Sequence, residues 1–237
     1  MPPKRDSIRV AVALDCEMGT AASGDPELIR VTMVDYFSGE ILVDNLVQPD
    51  VSMQHLNTRY SGVSWPDLKE ARRKGTCLSG KAGARQAVWK YVGNDTIIVG
   101  HGVSNDLRAL RWTHTLVVDS LIRESNRSKI GKAVTGTNQA AKAVAQEIWQ
   151  GKVITDVSTK LLGQTDATST MLSEKDVQNE APIHKPSSRS LKALAKKYLN
   201  REIQTSGRRG HDSLEDAIAA RDIVHWNVLD LIRYSQA

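Results

Sequence analysis

The sequence predicts an α/β fold in which a mixed β-sheet, part antiparallel and part parallel, is flanked by helices. Three strand-like segments, at 8–18, 28–36 and 41–47, are separated by short polar turns, which is typical of an antiparallel meander. Further along, short apolar segments at 96–99 and 116–118 alternate with stretches of helical periodicity. This alternation favours parallel strands with helices on the faces of the sheet.

The helices are predicted from apolar spacing and from their flanking residues. They are expected at 65–73, 81–92, 105–112, 188–199 and 214–234. Ser104 is the expected N-cap of the helix that starts at Asn105, since serine side chains satisfy free N–H groups at helix starts. Residues 19–26 are expected to form a turn, and residues 48–62 to be irregular.

The chain of 237 residues is predicted to form a single catalytic domain, residues 1–237, with an insertion at about 124–187. The insertion contains alanine, valine and isoleucine at helical spacing from Ala140 to Ile148, so it is expected to contain one amphipathic helix. Residues 163–188 are polar and poor in apolar side chains, and a mobile loop is predicted there.

Composition excludes several classes of protein. No apolar run approaches the roughly 18 residues of a membrane span, and the polar start lacks the apolar core of a signal peptide. Cys16 and Cys77 form neither a disulfide framework nor a zinc pattern. We therefore expect an intracellular protein of the nucleus or cytoplasm, neither secreted nor bound to a membrane. The formal net charge of +5 favours an anionic partner such as nucleic acid.

The first candidate site residues lie at the end of the strand Val10 to Met18, which reads VAVALDCEM. Because residues two apart in a strand point to the same face, Asp15 and Glu17 are expected side by side, with Cys16 pointing the other way. Two adjacent carboxylates repel one another and are rarely buried unpaired, so a cation is expected between them. The alternative is a strand end whose acidic side chains reach solvent.

Two later segments supply further candidate ligands. Asp106 lies in GHGVSNDLRAL, at the start of a helix that follows an apolar strand, where ligands bind in open sheets. A carboxylate that only stabilises the first turn of the helix is the alternative for Asp106. The segment HDSLEDA places His211 in a loop and Asp216 in the first turn of the last helix. Capping explains one carboxylate of this segment but leaves the histidine unexplained.

These residues together predict a metal centre. Asp15, Glu17, Asp106 and Asp216 are four carboxylates at the ends of four elements, and hard divalent cations prefer oxygen ligands. Two such cations can assist the attack of water on a phosphodiester, and a histidine with a pKa near neutrality can accept the proton of that water. His211 is the candidate base. Asp119 ends a predicted strand and is a further candidate for the site, but a direct role is the less favoured alternative because four carboxylates already suffice for two cations.

LDCEMGT, GHGVSND and HDSLEDA, in this order, resemble the DEDDh family of 3′-to-5′ exonucleases. The nearest group is that of the Rex-type eukaryotic RNA exonucleases, and the likeness covers about 8–122 and 188–234. The resemblance implies a ribonuclease-H-like fold, two Mg²⁺ or Mn²⁺ ions and release of nucleoside 5′-monophosphates. It implies that Asp15, Glu17, Asp106 and Asp216 bind metal and that His211 is catalytic.

Substrate binding is expected close to these motifs. By resemblance, Met18 and Gly19 line the pocket for the terminal nucleotide. His101, which lies close to Asp106, and Asn105 are further candidate substrate contacts. A structural role in the loop is an equal alternative for His101. RNA is favoured over DNA as the substrate and partner. Two alternatives stay open: a catalytically silent module that binds nucleic acid or assembles with other proteins, and an exonuclease of the same fold that acts on DNA.

Overall fold

The computed structural model describes residues 7–126, 189–205, 207 and 210–235. The chain divides into two units, Met1–Glu124 with Pro186–Ala237 and Ser125–Lys185, and the description below concerns the first unit. Apart from residues 124–126, the predicted insertion lies outside the described residues, and so do its expected helix and loop.

The sheet of the first unit is mixed, as predicted. Its strands run in the order β5-β3-β2-β1-β6-β7, and β4 pairs with the end of β1. Strands β1, β2 and β3 form the expected antiparallel meander, whereas β6 runs parallel to β1 and β7 parallel to β6. The bounds are β1 Ala11–Ala21, β2 Pro26–Asp35, β3 Ile41–Gln48, β4 Met53–His55, β5 Leu78–Ser79, β6 Ile97–Gly100 and β7 Val117–Asp119.

Helices cover the two faces of this sheet. Their bounds are α1 Thr58–Ser61, α2 Trp65–Lys74, α3 Gly80–Val88, α4 Ser104–Ala109, α5 with residues 120–126 described, α6 Leu191–Leu194 and α7 Ser213–Ser235. A π-helical turn, Ala195–Leu199, continues α6. Within the described ranges, no helix combines the length and the apolar character that crossing a bilayer requires.

The alternation of β1 divides the core between the two faces. Val12, Leu14 and Cys16 pack on one side, against apolar residues of α3 and α4 such as Val88 and Leu107. Ala13 points to the other face and packs with Val224 of α7. Because Asp15 and Glu17 continue the Ala13 row, they lie on the face that α7 covers.

The expected turn at 19–26 and the expected irregular segment 48–62 are wrong in part. Strand β1 continues to Ala21 across a register shift between Glu17 and Met18, because its last residues pair with both β2 and β4. Residues 48–62 contain β4 and the short helix α1. Helix α1 lies between Asn57 and Gly62, which both have a left-handed backbone conformation. Neither residue belongs to the apolar periodicity from which helices are predicted.

Three predicted helices differ in their ends. Helix α3 stops at Val88, although Val92 continues the apolar spacing, because Val92 enters the core from the turn that follows. Helix α4 ends at Ala109 because Arg111 is left-handed and the N–H of Trp112 closes the end on Leu107. The helix expected at 188–199 begins at Leu191 and changes to the π-helical turn at Ala195.

Candidate active site

The carboxylates of Asp15 and Glu17 point to one face of β1 and meet a third carboxylate from α7. Ligand oxygens of Asp15, Glu17 and Asp216 all lie within 4.8 Å of one another. Asp216 is in the first turn of α7, which packs on this face of the sheet, and its side chain is buried. In the part of the chain that the structure describes, this is the one group of acidic, histidine or cysteine side chains with the spacing of a metal site.

Asp106 reaches the same region from α4 but lies outside that group. Because β6 is parallel to β1, the loop after β6 delivers the first turn of α4 to the middle of β1. Asp106 is 4% exposed, and its Oδ1 accepts a hydrogen bond from the backbone N–H of Cys16 at 3.1 Å. This contact ties Asp106 to the residue between Asp15 and Glu17.

Burial and mutual repulsion raise the pKa of the carboxylic acids at this site. The pKa of Asp15 lies well above its usual range, because of burial and then because of the charges of Asp106, Asp216 and Glu17. Burial raises the pKa of Glu17 to about 8, although the neighbouring His211 lowers it in part. Burial also raises the pKa of Asp106. The charged forms are therefore disfavoured unless a cation neutralises them.

His211 lies at the rim of the acidic cluster. Its Nδ1 is 3.4 Å from Oδ2 of Asp216, and its side chain is 41% exposed. The backbone N–H of His211 donates a hydrogen bond to the carbonyl of Tyr60. The preceding residue, Gly210, has a left-handed backbone, and a Cβ atom at this position would collide with the backbone of Gly62. The hydrogen bond to Asp216 raises the pKa of His211 above its ordinary value, against the opposing effect of burial.

Strand β2 holds the start of α7 in place. Arg30 contacts Asp212 at 3.2 Å, and the hydroxyls of Thr32 and Ser213 are 2.6 Å apart in a buried position. In the β1–β2 pairing, Thr32 stands opposite Asp15 and Arg30 opposite Glu17. Strand β2 therefore positions two of the sequence motifs, LDCEMGT through its pairing with β1 and HDSLEDA through Asp212 and Ser213. Nothing in the sequence of β2 distinguishes these two residues from ordinary solvent-facing positions of a strand.

The loop before α4 is organised by Asp119. Its carboxylate accepts hydrogen bonds from the N–H groups of Gly102, Val103 and Leu121, at 2.9 to 3.0 Å. The predicted N-cap Ser104 is wrong, because α4 begins at Ser104 and its N-cap, Val103, makes no side-chain capping bond. The carboxylate at the end of β7 instead holds the loop that leads into α4, through the N–H groups of Gly102 and Val103. A direct role of Asp119 in the site is the less favoured expectation, and these contacts give it a structural function.

The four predicted substrate-binding residues lie around this site. His101 is half-buried, its Nδ1 is 2.8 Å from the hydroxyl of Ser120, and burial lowers its pKa. Asn105 is exposed on α4. The carbonyl of Met18 accepts a hydrogen bond from Asn57. A Cβ on Gly19 would lie 2.6 Å from Met53 Cε, so the packing of β4 against β1 explains why this residue is a glycine. Nucleotide binding by these four residues stays a prediction.

Gln204 is a polar contact of the site that the sequence did not indicate. Its side-chain amide donates to both carboxylate oxygens of Asp216, at 3.2 Å to Oδ1 and 2.9 Å to Oδ2. It lies twelve residues before Asp216, in a loop with no recognisable motif.

Curated proteins similar to this chain are named RNA exonucleases. RNA exonuclease 3 of Yarrowia lipolytica is 32% identical over 216 residues, which cover 90% of this chain and 20% of that protein. RNA exonuclease 3 of Candida albicans is 29% identical over 225 residues, which cover 92% of this chain and 38% of that protein. The chain thus spans between a fifth and two fifths of the length of these relatives. No protein-family model matches the chain.

Solved structures confirm the fold. The Neurospora crassa Pan2 catalytic unit, described as a protease and nuclease domain, matches with a TM-score of 0.59 and 19% identity, covering 99% of this chain and 29% of that one. The Saccharomyces cerevisiae Pan2 exonuclease module in complex with AAGGAA RNA matches with a TM-score of 0.57 and 18% identity, over 97% of this chain and 30% of that one. The ribonuclease-H-like fold and the resemblance to Rex-type RNA exonucleases, both predicted from the motifs, are confirmed.

Proposed function

We propose that this chain is a 3′-to-5′ exoribonuclease of the DEDDh type that requires two Mg²⁺ or Mn²⁺ ions. Its similarity to proteins named RNA exonucleases supports the reaction class and favours RNA over DNA. In this proposal residues 1–237 form one catalytic domain, and the segment at about 124–187 is an insertion in it. An intracellular location stays a prediction.

The observation that carries the proposal is the convergence of Asp15, Glu17 and Asp216 within 4.8 Å, with His211 against Asp216. A structural role does not account for this arrangement, since carboxylates gathered in a partly buried site without a counter-charge destabilise a fold. A catalytic role does account for it, because burial first and repulsion between the carboxylates second raise the pKa values of Asp15, Glu17 and Asp106, and a bound cation would offset both effects.

The donor set fits divalent cations that prefer oxygen. Asp15, Glu17 and Asp216 would hold one ion, and Asp106, which is hydrogen-bonded to the backbone between Asp15 and Glu17, would contribute to holding a second. When bound, the two ions would neutralise the negative charge of the phosphodiester and stabilise both the attacking and the leaving oxygen.

The chain's own residues position the reactants and move the proton. Water attacks the phosphorus of the last phosphodiester, the bond to the 3′ oxygen of the preceding nucleotide breaks, and a nucleoside 5′-monophosphate leaves. His211 accepts the proton of the attacking water, and its half-exposed position at the rim gives it access to both water and bulk solvent. The shortened RNA takes up a proton from solvent on its new 3′ hydroxyl.

The test is digestion of a 5′-labelled single-stranded RNA by the purified chain. With Mg²⁺ or Mn²⁺, we expect a ladder that shortens from the 3′ end and nucleoside 5′-monophosphates as products, whereas EDTA stops the reaction. The Asp15→Asn variant is the matched control for contaminating nucleases. A 3′-phosphate on the RNA should block the start of digestion if the free 3′ end is recognised.

Two outcomes would contradict the proposal. RNA that is bound but not shortened in either metal would identify a silent binding module. A matched DNA strand that is digested faster than the RNA would identify a DNA-directed exonuclease of the same fold.

A further inference from the structure

Gln204 is held at three points around the acidic cluster. Its side-chain amide nitrogen lies 3.2 Å from Oδ1 and 2.9 Å from Oδ2 of Asp216. Its backbone N–H donates to Oε2 of Glu215 at 2.8 Å, and its carbonyl accepts from Nζ of Lys192 at 3.4 Å. Two of these contacts are made to neighbouring residues in the first turn of α7, so the loop and the helix start are fastened together.

The backbone of Gln204 is also specific. Its φ of 56° lies in the left-handed region, which residues other than glycine rarely adopt. The preceding residue, Ile203, is fully buried and packs with Leu194 and Ile223, so the loop is anchored in the core on one side. This conformation directs the long side chain toward Asp216, and it persists because the surroundings hold it on both sides.

A neutral donor is the group that suits this position. A carboxylate offers about four lone-pair directions on its two oxygens. The amide of Gln204 occupies one direction on each oxygen of Asp216 and adds no charge. His211 approaches Oδ2 as well, so the directions that neither residue occupies are those open to a cation beside Asp15 and Glu17. A glutamate here would add a further negative charge, and an apolar side chain would leave His211 as the one remaining side-chain partner described for the Asp216 carboxylate.

We propose that Gln204 is a positioning residue that orients the Asp216 carboxylate for a divalent cation. This inference rests on the proposed function, since it assumes that the acidic cluster binds metal. Groups that hydrogen-bond to metal ligands fix the orientation of those ligands, and their loss typically weakens metal affinity by about 10- to 100-fold. Gln204 does not touch the scissile bond in this scheme and acts only through Asp216.

The test measures Mn²⁺ binding to the metal-free protein by titration calorimetry, without RNA. Gln204→Met keeps a similar volume and removes the donor, and we expect Mn²⁺ affinity to fall about 10- to 100-fold. Gln204→Asn, whose amide is too short to reach, should weaken binding in the same way and serves if the Met variant does not fold. Glu202→Gln, in the same loop and in an exposed ion pair with Lys196, is the control and should bind Mn²⁺ as the wild type does.

Activity gives a second and independent readout. Both Gln204 variants should need more Mn²⁺ for half-maximal activity, and at saturating Mn²⁺ their KM for RNA should equal that of the wild type. A variant that melts at a lower temperature in EDTA but binds Mn²⁺ with unchanged affinity would make Gln204 a structural residue and overturn the inference.

The failure of this inference is distinguishable from that of the proposed function. A wild type that binds Mn²⁺ without digesting RNA would contradict the exonuclease and leave the role of Gln204 testable by binding. A wild type with no Mn²⁺ affinity would overturn both.

Discussion

Replacing Glu17 by glutamine should stabilise the metal-free protein, and the gain should grow with pH. Glu17 is 9% exposed, and its pKa is raised from 4.5 to about 8. Because the folded state holds this proton more tightly than the unfolded state, stability is retained below pH 4.5 and is lost as pH rises toward 8. The glutamine side chain of the variant does not titrate, so this loss would disappear.

The size of the gain follows from the two pKa values. A pH of 7 is about 2.5 units above the ordinary glutamate pKa of 4.5, and each unit corresponds to about 1.4 kcal/mol. Glu17→Gln should therefore raise the free energy of unfolding by roughly 3 kcal/mol at pH 7. In a protein of this size 1 kcal/mol changes Tm by about 2–4 °C, which predicts an increase of roughly 6–12 °C. The charge of Glu17 also raises the pKa of Asp106, so its removal relieves that carboxylate as well.

The assay is thermal unfolding followed by circular dichroism in EDTA at pH 5, 6, 7 and 8. The difference in Tm between Glu17→Gln and wild type should be small at pH 5 and largest at pH 8. With saturating Mn²⁺ the order should reverse, because ligand binding stabilises only the protein that keeps its ligands. A difference in Tm that is the same at pH 5 and pH 8 would refute the assignment of the raised pKa to Glu17.

Asp35 provides a control of opposite sign. Burial alone would raise its pKa, but the hydrogen bonds from Ser38 and Phe37 hold that pKa below its ordinary value of 3.8. The Asp35 carboxylate therefore stabilises the fold above pH 3.8, and this contribution is lost as pH falls through its lowered pKa. Asp35→Asn should lower Tm by an amount that stays constant from pH 5 to pH 8.

Three further predictions concern activity and the fixing of α7. Asp15→Asn should abolish RNA shortening and leave the circular dichroism spectrum unchanged; residual activity above about a tenth of wild type would contradict a two-metal role, since such chemistry depends on every shared ligand. His211→Ala should lower the rate by about 10²- to 10⁴-fold with little change in Mn²⁺ or RNA affinity, and the wild-type rate should decline as pH falls through a histidine pKa that lies above 6.5. A loss of Mn²⁺ affinity in that variant would identify His211 as a ligand instead. Thr32→Val should lower the free energy of unfolding, measured in urea, by about 1–3 kcal/mol, because the buried hydroxyl of Ser213 loses its partner. Adding Ser213→Ala should recover part of that loss. If the losses of the two single variants simply add in the double variant, the two hydroxyls do not interact.

The elements that the sequence predicted correctly are those with strong local patterns. The meander β1–β2–β3 follows from alternating apolar strands with polar turns between them, and Asp15 and Glu17 are paired because the period of a strand is two. Helix α2, predicted at 65–73, spans Trp65–Lys74, and in the structure Ser64 and Asp67 form a capping box at its start.

The contacts that the sequence could not predict are made between segments far apart in the chain. Asp119 holds the loop before α4 because parallel pairing of β6 and β7 brings its carboxylate to the N–H groups of Gly102 and Val103. Gln204 reaches Asp216 because its backbone is left-handed, a conformation that no local sequence pattern predicts here. Tertiary contacts of this kind determine helix ends and side-chain partners, whereas periodicity indicates only the type of an element.

The hydrogen bond between Thr32 and Ser213 joins residues 181 positions apart, and this separation affects when the acidic cluster can exist during synthesis. At about 5–20 residues per second, the ribosome needs roughly 10–40 s to proceed from Glu17 to Asp216. Throughout that interval the nascent chain lacks the third motif, HDSLEDA, and for its first part it also lacks the second, GHGVSND. The acidic cluster is therefore assembled only when α7 docks on β2, and under the proposed function a nascent chain gains exonuclease activity only after this docking.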